Sequence, residues 1–305
     1  MRVLVTGGTG FIGSQIVRAL LAAGHEVRAV ARSGSARDRL SDVERRIDWR
    51  EADVFGNPPP DWRALGSGID LCIHAAWYAV PGKYLEAIEN LTCVSGSLAL
   101  LRGLTDAGVK RAAFVGTCFE YDFESGWLHE TAPVKPASLY AAAKASTRLL
   151  AEPLARAAGM AFTWVRPFYQ YGPFEDPRRL VPHVIGTLLR GDPAEVTRGT
   201  QVRDFLHVAD VGSAIAAVAT SNATGIVNIG SGRPVTVRDI VSTIASSLGR
   251  EDLVRYGARP DNPTDPPFIC ADNRRLIAET GWSPAYDLRS GLEDTIAWWR
   301  VRSGT

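Results

Sequence analysis

The chain begins with a short apolar run that leads into a glycine-rich turn and then into a helical pattern. Gly7, Gly10 and Gly13 lie in this turn, in the segment TGGTGFIG. Glycines there permit a tight turn, close approach of the backbone to a pyrophosphate, and close packing of the helix on a sheet. The unpaired N–H groups at the start of the helix can then bind phosphate oxygens. The segment therefore predicts a dinucleotide-binding turn rather than a loop that only reverses the chain.

Strand and helix patterns alternate after this turn. We predict the second to fifth strands at HEVRAVA, IDWREADV, DLCIHAA and RAAFVGT, and the longest helix between these strands at EAIENLTCVSGSLALLRGL. Such alternation indicates an α/β fold with a doubly wound parallel sheet, whose ligands lie beyond the carboxyl ends of the strands. We expect a Rossmann domain over residues 1–166, with returning segments from about 203–230. A smaller carboxyl-terminal lobe, mainly for substrate binding, is expected over residues 167–305.

Composition narrows the classes of function. The formal net charge is +1, which gives no reason to expect a nucleic-acid partner. The four cysteines have irregular spacing, so we predict no metal site and reduced thiols in a cytoplasmic protein. No charged leader precedes the first strand, and no apolar run is long enough to span a bilayer, so no membrane association is expected.

Tyr140 and Lys144 stand four residues apart in the segment SLYAAAKAS. On a helix this spacing places both side chains on one face, so an ammonium can lie beneath a phenol and lower its pKa. A phenol with a lowered pKa can move protons at neutral pH. The alternative is a half-buried tyrosine beside a solvated lysine, because this spacing is common by chance on an alanine-rich helix.

Ordered motifs along essentially the whole chain resemble the extended short-chain dehydrogenase/reductase family. They are TGGTGFIG, IHAA, FVGTCFEYD, YAAAK, VRPFYQYGP, QVRDFLHVADV and VNIGSG. This family contains nucleotide-sugar epimerases, dehydratases and 4-ketoreductases. The resemblance implies a nicotinamide cofactor, a nucleotide-diphosphate sugar as substrate, and catalysis by Thr117, Tyr140 and Lys144.

The resemblance also implies the cofactor contacts. They fall on Gly7, Gly10, Phe11, Ile12, Gly13, Arg32, Ser33, Asp53, Val54, Ala75, Ala76, Tyr140, Lys144 and Pro167. An acidic residue about 20 positions beyond the glycines would bind the ribose hydroxyls of NAD. Arg32 and Ser33 stand there instead, and a guanidinium beside a hydroxyl suits a 2′-phosphate. NADP(H) is therefore favoured and NAD(H) is possible, the alternative for Arg32 being a side chain that points into water.

The residues after Thr117 argue against one branch of the family. In 4,6-dehydratases the next two residues are Asp and Glu, the acid and base for water elimination. Cys118 and Phe119 stand at these positions and cannot perform that step. Glu120 lies one position too late to replace the missing Glu, and we expect it to be a solvated loop carboxylate.

Positions that match the family's substrate contacts lie mainly in the carboxyl-terminal part. The full set is Trp77, Tyr78, Cys118, Tyr169, Val181, Arg203 and Arg259. Two arginines on a diphosphate make physical sense, since each can donate two N–H bonds to phosphate oxygens. Arg259 has the alternative of a surface residue. Asp204 and His207 are expected to cap and pin the turn before the following helix rather than to act in catalysis.

The segment after the fourth strand departs from the common family pattern. Alignment of the following helix puts Cys93 where many members carry an Asn and leaves Asn90 a turn earlier, so the register is open. The aromatic faces of Trp77 and Tyr78 can cover an apolar deoxysugar face, with buried packing as the alternative.

The leading hypothesis is an NADPH-dependent reductase of a nucleotide-linked 4-keto-6-deoxyhexose. The second is an epimerase with tightly bound NAD, which uses the same three catalytic residues. A non-catalytic dinucleotide sensor is the third, and the intact Thr, Tyr and Lys argue against it. We also expect a homodimer that pairs through the helix after the fourth strand and the helix that bears Tyr140.

Overall fold

The computed structural model describes residues 1–304. Its strands are β1 (Arg2–Thr6), β2 (Glu26–Ala31), β3 (Ile47–Glu51), β4 (Leu71–His74), β5 (Arg111–Val115), β6 (Trp127–Leu128), β7 (Ala161–Pro167), β8 (Tyr169–Tyr171), β9 (Ala194–Val196), β10 (Val202–His207), β11 (Gly225–Ile229), β12 (Pro234–Thr236), β13 (Val254–Tyr256) and β14 (Phe268–Ala271). Its helices are α1 (Phe11–Ala22), α2 (Trp62–Gly66), α3 (Glu89–Asp106), α4 (Leu139–Ala157), α5 (Leu180–Leu189), α6 (Val208–Thr220), α7 (Val237–Leu248), α8 (Arg274–Thr280) and α9 (Leu288–Ser303).

Seven parallel strands form the main sheet, in the order β3-β2-β1-β4-β5-β7-β11. The central strands are apolar at successive positions, as in Val3, Leu4 and Val5, because helices cover both faces of the sheet. The strand order reverses between β1 and β4, and this switch opens a crevice at the carboxyl ends of these two strands. The predicted α/β fold with a doubly wound parallel sheet is confirmed.

Two long helices follow the order expected from the sequence. α3, with 18 residues, is the longest helix between the first five strands, as predicted, and α4, with 19 residues, follows β5. Ser138 caps α4 by accepting a hydrogen bond from the N–H of Ala141 at 3.2 Å, so this helix begins just before Tyr140.

The carboxyl-terminal part builds a second sheet of order β12-β10-β14-β6, with β8 paired to β10. A small third sheet joins β9 to β13. Helices α5, α7 and α9 pack together over a separate apolar core that includes Val184, Ile240 and Leu292. The chain also returns to the main sheet, because α6 packs on α1 and β11 pairs with β7.

Across residues 1–304, no helix has the length and apolar character that a bilayer crossing requires. Within these described residues, all four cysteines are buried and none forms a disulfide bond.

Candidate active site

The turn between β1 and α1 fits a bound pyrophosphate. Gly7 has a φ of +73°, and a Cβ on it would lie 2.5 Å from the amide nitrogen of Ala76. A Cβ on Gly13 would lie 2.0 Å from the carbonyl oxygen of Gly7. No side chain caps the start of α1 at Gly10, so the N–H groups there face the crevice without a side-chain acceptor. The backbone therefore provides an anion-binding turn at the switch point of the sheet.

Arg32 and Ser33 follow β2 and are exposed. Within residues 1–304 the Arg32 guanidinium makes no hydrogen bond or ion pair. Two nearby arginines are engaged: Arg37 pairs with Glu44 at 3.0 Å, and Arg39 donates to the carbonyl oxygen of Thr9 at 3.2 Å. Arg32 is thus the cation of this segment that is open to a ligand.

The other predicted cofactor residues also lie where the main-sheet strands end. Asp53 follows β3 and accepts a hydrogen bond from the N–H of Phe55 at 3.1 Å, and Val54 is buried beside it. Ala75 and Ala76 follow β4 and are half-buried. Pro167, the last residue of β7, is buried.

The three predicted catalytic residues come together between β5 and α4. Thr117 follows β5, and Tyr140 and Lys144 lie in the first turns of α4. The Lys144 ammonium donates to the carbonyl oxygen of Val115 at 2.6 Å, which docks α4 against the end of β5. Tyr140 is half-buried, and its backbone N–H donates to the carbonyl oxygen of Leu85 at 2.8 Å.

Burial and neighbouring side chains set the pKa values of Tyr140 and Lys144. Burial raises the pKa of Tyr140, and a hydrogen bond from the Thr117 side chain opposes that rise. Burial lowers the pKa of Lys144 to about 7, while Cys93 and Glu120 oppose the change. The Thr117 side chain is therefore a neighbour that favours the ionised phenol in this arrangement.

Trp77 packs against Lys144, the predicted catalytic lysine. The Lys144 nitrogen lies 3.8 Å from the centre of the indole ring, a cation–π contact. The indole N–H donates to the side-chain oxygen of Asn90 at 2.8 Å, and Asn90 is fully buried. Trp77 is thus held in a packed position beside the catalytic residues, with a half-buried ring.

Cys93 and Asn90 of α3 both contact the segment after β4. The sulfur of Cys93 accepts a hydrogen bond from the backbone N–H of Tyr78 at 3.4 Å. Asn90, one turn earlier, instead fixes the chain segment between β4 and α3 by donating to the carbonyl oxygens of Tyr84 and Ala87 at 2.7 and 2.9 Å.

The expectation of a solvated Glu120 is wrong. The side chains of Glu120 and Arg166 are both fully buried and form an ion pair at 2.7 Å. Arg166 lies in β7, far along the chain, so no local pattern around Glu120 indicated this partner. Its charge requires the pairing, because an unpaired carboxylate is strongly disfavoured inside a protein.

Asp204 and His207 have structural contacts, as expected, but at a different place. Asp204 accepts hydrogen bonds from the N–H groups of Ser231, Gly232 and Ala271, at 2.7, 2.9 and 3.1 Å. It therefore pins the turn after β11 to β14, rather than the turn before α6. His207 is buried, and its Nε2 lies 3.3 Å from the carboxylate of Asp294 in α9.

Three predicted substrate residues, Cys118, Tyr169 and Arg203, gather beside the predicted catalytic residues. The Arg203 guanidinium lies 5.5 Å from the ring centre of Tyr169 and pairs with Asp265 at 2.5 Å. Cys118 is buried in a cluster against which Tyr169 packs. Sequence reasoning missed Asp265, which lies in a loop and carries no motif.

The two remaining substrate predictions lie on or near α5. Val181 is buried in the first turn of α5. Arg259 is exposed after β13, and its guanidinium lies 3.4 Å from the Nε2 atom of His183 in α5. No group of three or more His, Cys, Asp or Glu side chains suited to a metal ion occurs among residues 1–304.

Comparison with known proteins agrees with this geometry. The NAD dependent epimerase/dehydratase family matches residues 3–230, and the chain belongs to this family. The dTDP-glucose 4,6-dehydratase of Streptomyces griseus is 33% identical over 97% of this chain and 93% of that protein.

Solved structures give the same result. The UDP-glucose 4-epimerase of Thermotoga maritima, solved with UDP-glucose, superposes with a TM-score of 0.88 at 27% identity, covering 99% of this chain and 100% of that chain. The dTDP-glucose 4,6-dehydratase DesIV of Streptomyces venezuelae, solved with NAD, gives a TM-score of 0.86 at 30% identity, covering 100% of this chain and 98% of that chain. The Rossmann fold and the extended short-chain dehydrogenase/reductase family are thereby confirmed.

Proposed function

We propose that this protein is an NADPH-dependent reductase of a nucleotide-linked 4-keto-6-deoxyhexose. The observation that carries the proposal is the set of side chains at the end of β5. Thr117, Tyr140 and Lys144 supply a proton donor and its supports, while Cys118 and Phe119 stand where an elimination would need a carboxylic acid and a carboxylate. The site is thus equipped for reduction of a carbonyl and lacks the groups for loss of water.

In this mechanism the cofactor supplies hydride to the keto carbon when bound. The Tyr140 hydroxyl donates a proton to the alkoxide that forms at C4. The Thr117 hydroxyl orients the reacting oxygen and stabilises the tyrosinate left behind, since its hydrogen bond lowers the pKa of Tyr140. The Lys144 ammonium holds the nicotinamide ribose, while its bond to Val115 keeps α4 in register with β5.

The choice of NADPH rests on Arg32 and Ser33. Both are exposed where β2 ends, the place of the adenosine ribose in this fold. The Arg32 guanidinium can pair with a 2′-phosphate by charge and by its forked geometry. Gly7, Gly10 and Gly13 with the start of α1 hold the pyrophosphate. The cofactor contacts at Phe11, Ile12, Asp53, Val54, Ala75, Ala76 and Pro167 belong to the same proposal.

We assign the nucleotide diphosphate of the substrate to the second sheet and α5. Arg203 lies beside Tyr169 and the catalytic turn, so it is the main candidate for a diphosphate ligand. Val181 and Arg259 lie on the α5 side, where the nucleoside end would rest. Trp77 and Tyr78 border the sugar, although the Trp77 ring is shared with Lys144.

An epimerase with bound NAD is the second candidate. The observation in its favour is the likeness to a UDP-glucose 4-epimerase over nearly the whole chain, together with neighbours solved with NAD. The same three catalytic residues can remove and return a hydride at C4. Arg32 is the feature that ranks this candidate below the reductase, because no acidic residue binds the adenosine ribose at the end of β2.

Labelled cofactor separates the two functions. The protein is incubated with dTDP-linked 4-keto-6-deoxyglucose and each C4-deuterated stereoisomer of NADPH. A reductase consumes one NADPH per product and places deuterium at C4 of the sugar from one of the two stereoisomers. Tyr140→Phe serves as the matched control for background reduction. No reduction of the keto sugar with NADPH, together with inversion of C4 in UDP-glucose without added cofactor, contradicts the reductase and supports the epimerase.

We further propose a homodimer that pairs through α3 and α4, which pack against each other on the main sheet. Apolar side chains stay exposed at the start of α3, where Ile88, just before the helix, and Leu91 are 68% and 53% exposed. In α4, Leu149 and Leu150 are 60% and 53% exposed. Such side chains suit burial in an interface. Light scattering should give the mass of two chains, and Leu150→Glu should shift it toward one. A monomer at all micromolar concentrations contradicts the proposal.

We place the reaction in the cytoplasm. The four cysteines are free in the described part of the chain, and reduced thiols are typical of that compartment. Fractionation of the native host with detection of the protein tests the assignment, and recovery outside the cytoplasmic fraction contradicts it.

A further inference from the structure

A buried carboxylate lies directly behind the catalytic threonine. One oxygen of Glu120 accepts hydrogen bonds from the backbone N–H of Thr117 and from the indole N–H of Trp164, both at 2.9 Å. The other oxygen accepts two bonds from Arg166, at 2.9 and 2.7 Å. The charge of Glu120 is therefore held by Arg166, while its first oxygen faces the active-site backbone.

These bonds fix both the backbone and the side chain of Thr117. Its N–H is bound to Glu120, and its hydroxyl oxygen accepts from the N–H of Phe119 at 3.2 Å. A threonine hydroxyl has one proton to donate and two lone pairs to accept with. With one lone pair occupied by Phe119, the hydroxyl proton stays available for Tyr140 or for the reacting sugar oxygen.

The surroundings of the carboxylate leave it no other position. A Cβ on Gly116 would lie 2.4 Å from the Glu120 oxygen and 2.2 Å from the indole nitrogen of Trp164. The guanidinium of Arg166 also stacks on the ring of Tyr121 at 4.1 Å, which closes the far side. The Glu120 carboxylate is thus enclosed directly behind the turn that carries the Thr117 hydroxyl.

Stability alone does not account for a pair of this kind. Desolvation of two charges costs several kcal/mol, and apolar replacements of buried ion pairs are often neutral or stabilising. We propose that Glu120 is a positioning residue: held by Arg166, its carboxylate fixes the Thr117 backbone so that the Thr117 hydroxyl meets Tyr140 and the reacting oxygen. The inference rests on the proposed catalytic role of Thr117.

Two double variants separate this role from stability. Glu120→Met with Arg166→Met replaces the ion pair by apolar side chains and leaves the Thr117 N–H without an acceptor. Glu120→Gln with Arg166→Met also removes both charges, but the amide oxygen of Gln can still accept from Thr117 and Trp164. Glu120→Gln alone is less informative, because an amide cannot accept from both Thr117 and Arg166.

The two double variants should differ in turnover rather than in folding. We expect kcat with NADPH and dTDP-linked 4-keto-6-deoxyglucose to fall on the order of 10- to 100-fold for Glu120→Met/Arg166→Met, because small misplacements of a catalytic group are costly. In Glu120→Gln/Arg166→Met, kcat should recover by about tenfold relative to the Met/Met variant. KM and the Kd of NADPH should differ little between the two, and both variants should be folded at the assay temperature by circular dichroism. Hydrogen exchange of the Thr117 amide should be faster only in the Met/Met variant.

The outcomes distinguish this inference from the proposed function. Equal kcat values in the two folded double variants would overturn the positioning role of Glu120, provided that Thr117→Val is strongly impaired. A Thr117→Val variant with normal turnover would instead overturn the catalytic role of Thr117, and with it the proposed mechanism. A Met/Met variant whose NADPH affinity falls as much as its kcat would show a general structural effect and also overturn the inference.

Discussion

The proposed cofactor side and the proposed substrate side of the site hold their candidate anion-binding groups in different ways. On the cofactor side the groups are backbone N–H donors at the start of α1 and the exposed guanidinium of Arg32. On the substrate side Arg203 is almost fully buried and already paired with Asp265 at 2.5 Å. A ligand phosphate meets open donors in the first case and competes with an internal carboxylate in the second.

This difference has a physical consequence for binding. Backbone donors in a fixed turn need no rearrangement, so the cofactor side is organised before the ligand arrives. An arginine shared with a carboxylate stays oriented in the free protein, but part of its charge is compensated until the diphosphate arrives. We therefore expect substitutions on the two sides to separate cofactor affinity from substrate affinity.

The largest effect is expected at Tyr140, where the two sides meet. Tyr140→Phe keeps the ring but removes the proton donor, so kcat should fall by roughly two to four orders of magnitude. The Kd values of NADPH and of the nucleotide should change little. The matched control is Tyr84→Phe, which removes a hydroxyl from the ring that packs edge-on against Tyr140 at 4.8 Å. Near-normal turnover of Tyr140→Phe would exclude Tyr140 as the proton donor.

Arg203→Ala tests the substrate side. The variant should bind dTDP more weakly by about 1.5–3 kcal/mol, the range for a hydrogen bond to a charged group. NADPH affinity should stay unchanged, as measured by calorimetry with each ligand alone. Arg250→Ala, an exposed arginine of the same part of the chain, is the control. Equal losses for dTDP and NADPH would break the distinction between the two sides.

Arg32→Ala is the corresponding test on the cofactor side. Since Arg32 is exposed, we expect the loss for NADPH near the lower end of about 1.5–3 kcal/mol, with NADH almost unaffected. Arg45→Ala, also exposed, is the matched control. A wild-type preference for NADH, or equal losses for both cofactors, would contradict the assignment of NADPH.

The smallest effect is a pH dependence of cofactor binding. The pKa of Lys144 is lowered to about 7, so its ammonium is present below that pH and is lost as the pH rises through it. NADPH, as an anion, favours the ammonium, so affinity should fall with rising pH by at most about tenfold per unit. Calorimetry in buffers of different ionisation enthalpy should detect proton uptake on binding near neutral pH.

Lys144→Met provides the control for this measurement. The variant retains Glu175, whose pKa burial raises to about 8, so any proton exchange by that carboxyl persists. Proton uptake that is unchanged in Lys144→Met would show that Lys144 is not its source. Loss of the proton uptake in Lys144→Met would show that cofactor binding is coupled to the protonation of Lys144, and hence to the proposed catalytic residues.

Features that depend on near neighbours in the chain were predictable from the sequence. The glycine turn, the alternation of strands and helices, and the spacing of Tyr140 and Lys144 each follow from local conformational rules. The ends of parallel strands meet at one edge, so strand order alone gathered the predicted cofactor positions there. The roles of these individual positions, and the division of the chain near residue 166, stay predictions.

Features that depend on distant partners required the tertiary structure. The sequence around Glu120 is typical of a surface carboxylate. Its ion-pair partner, Arg166, lies 46 residues later in β7. The spacing of Tyr140 and Lys144 gave no sign that β5 and the segment after β4 supply the carbonyl and the indole ring that contact Lys144. Spacing along one helix fixes which side chains share a face, whereas burial and charge partners come from segments that strand order brings together. The sequence by itself therefore determined the fold and the candidate residues. Only the tertiary structure decided which hydrogen-bond partners, ion pairs and degree of burial set the pKa values of these residues.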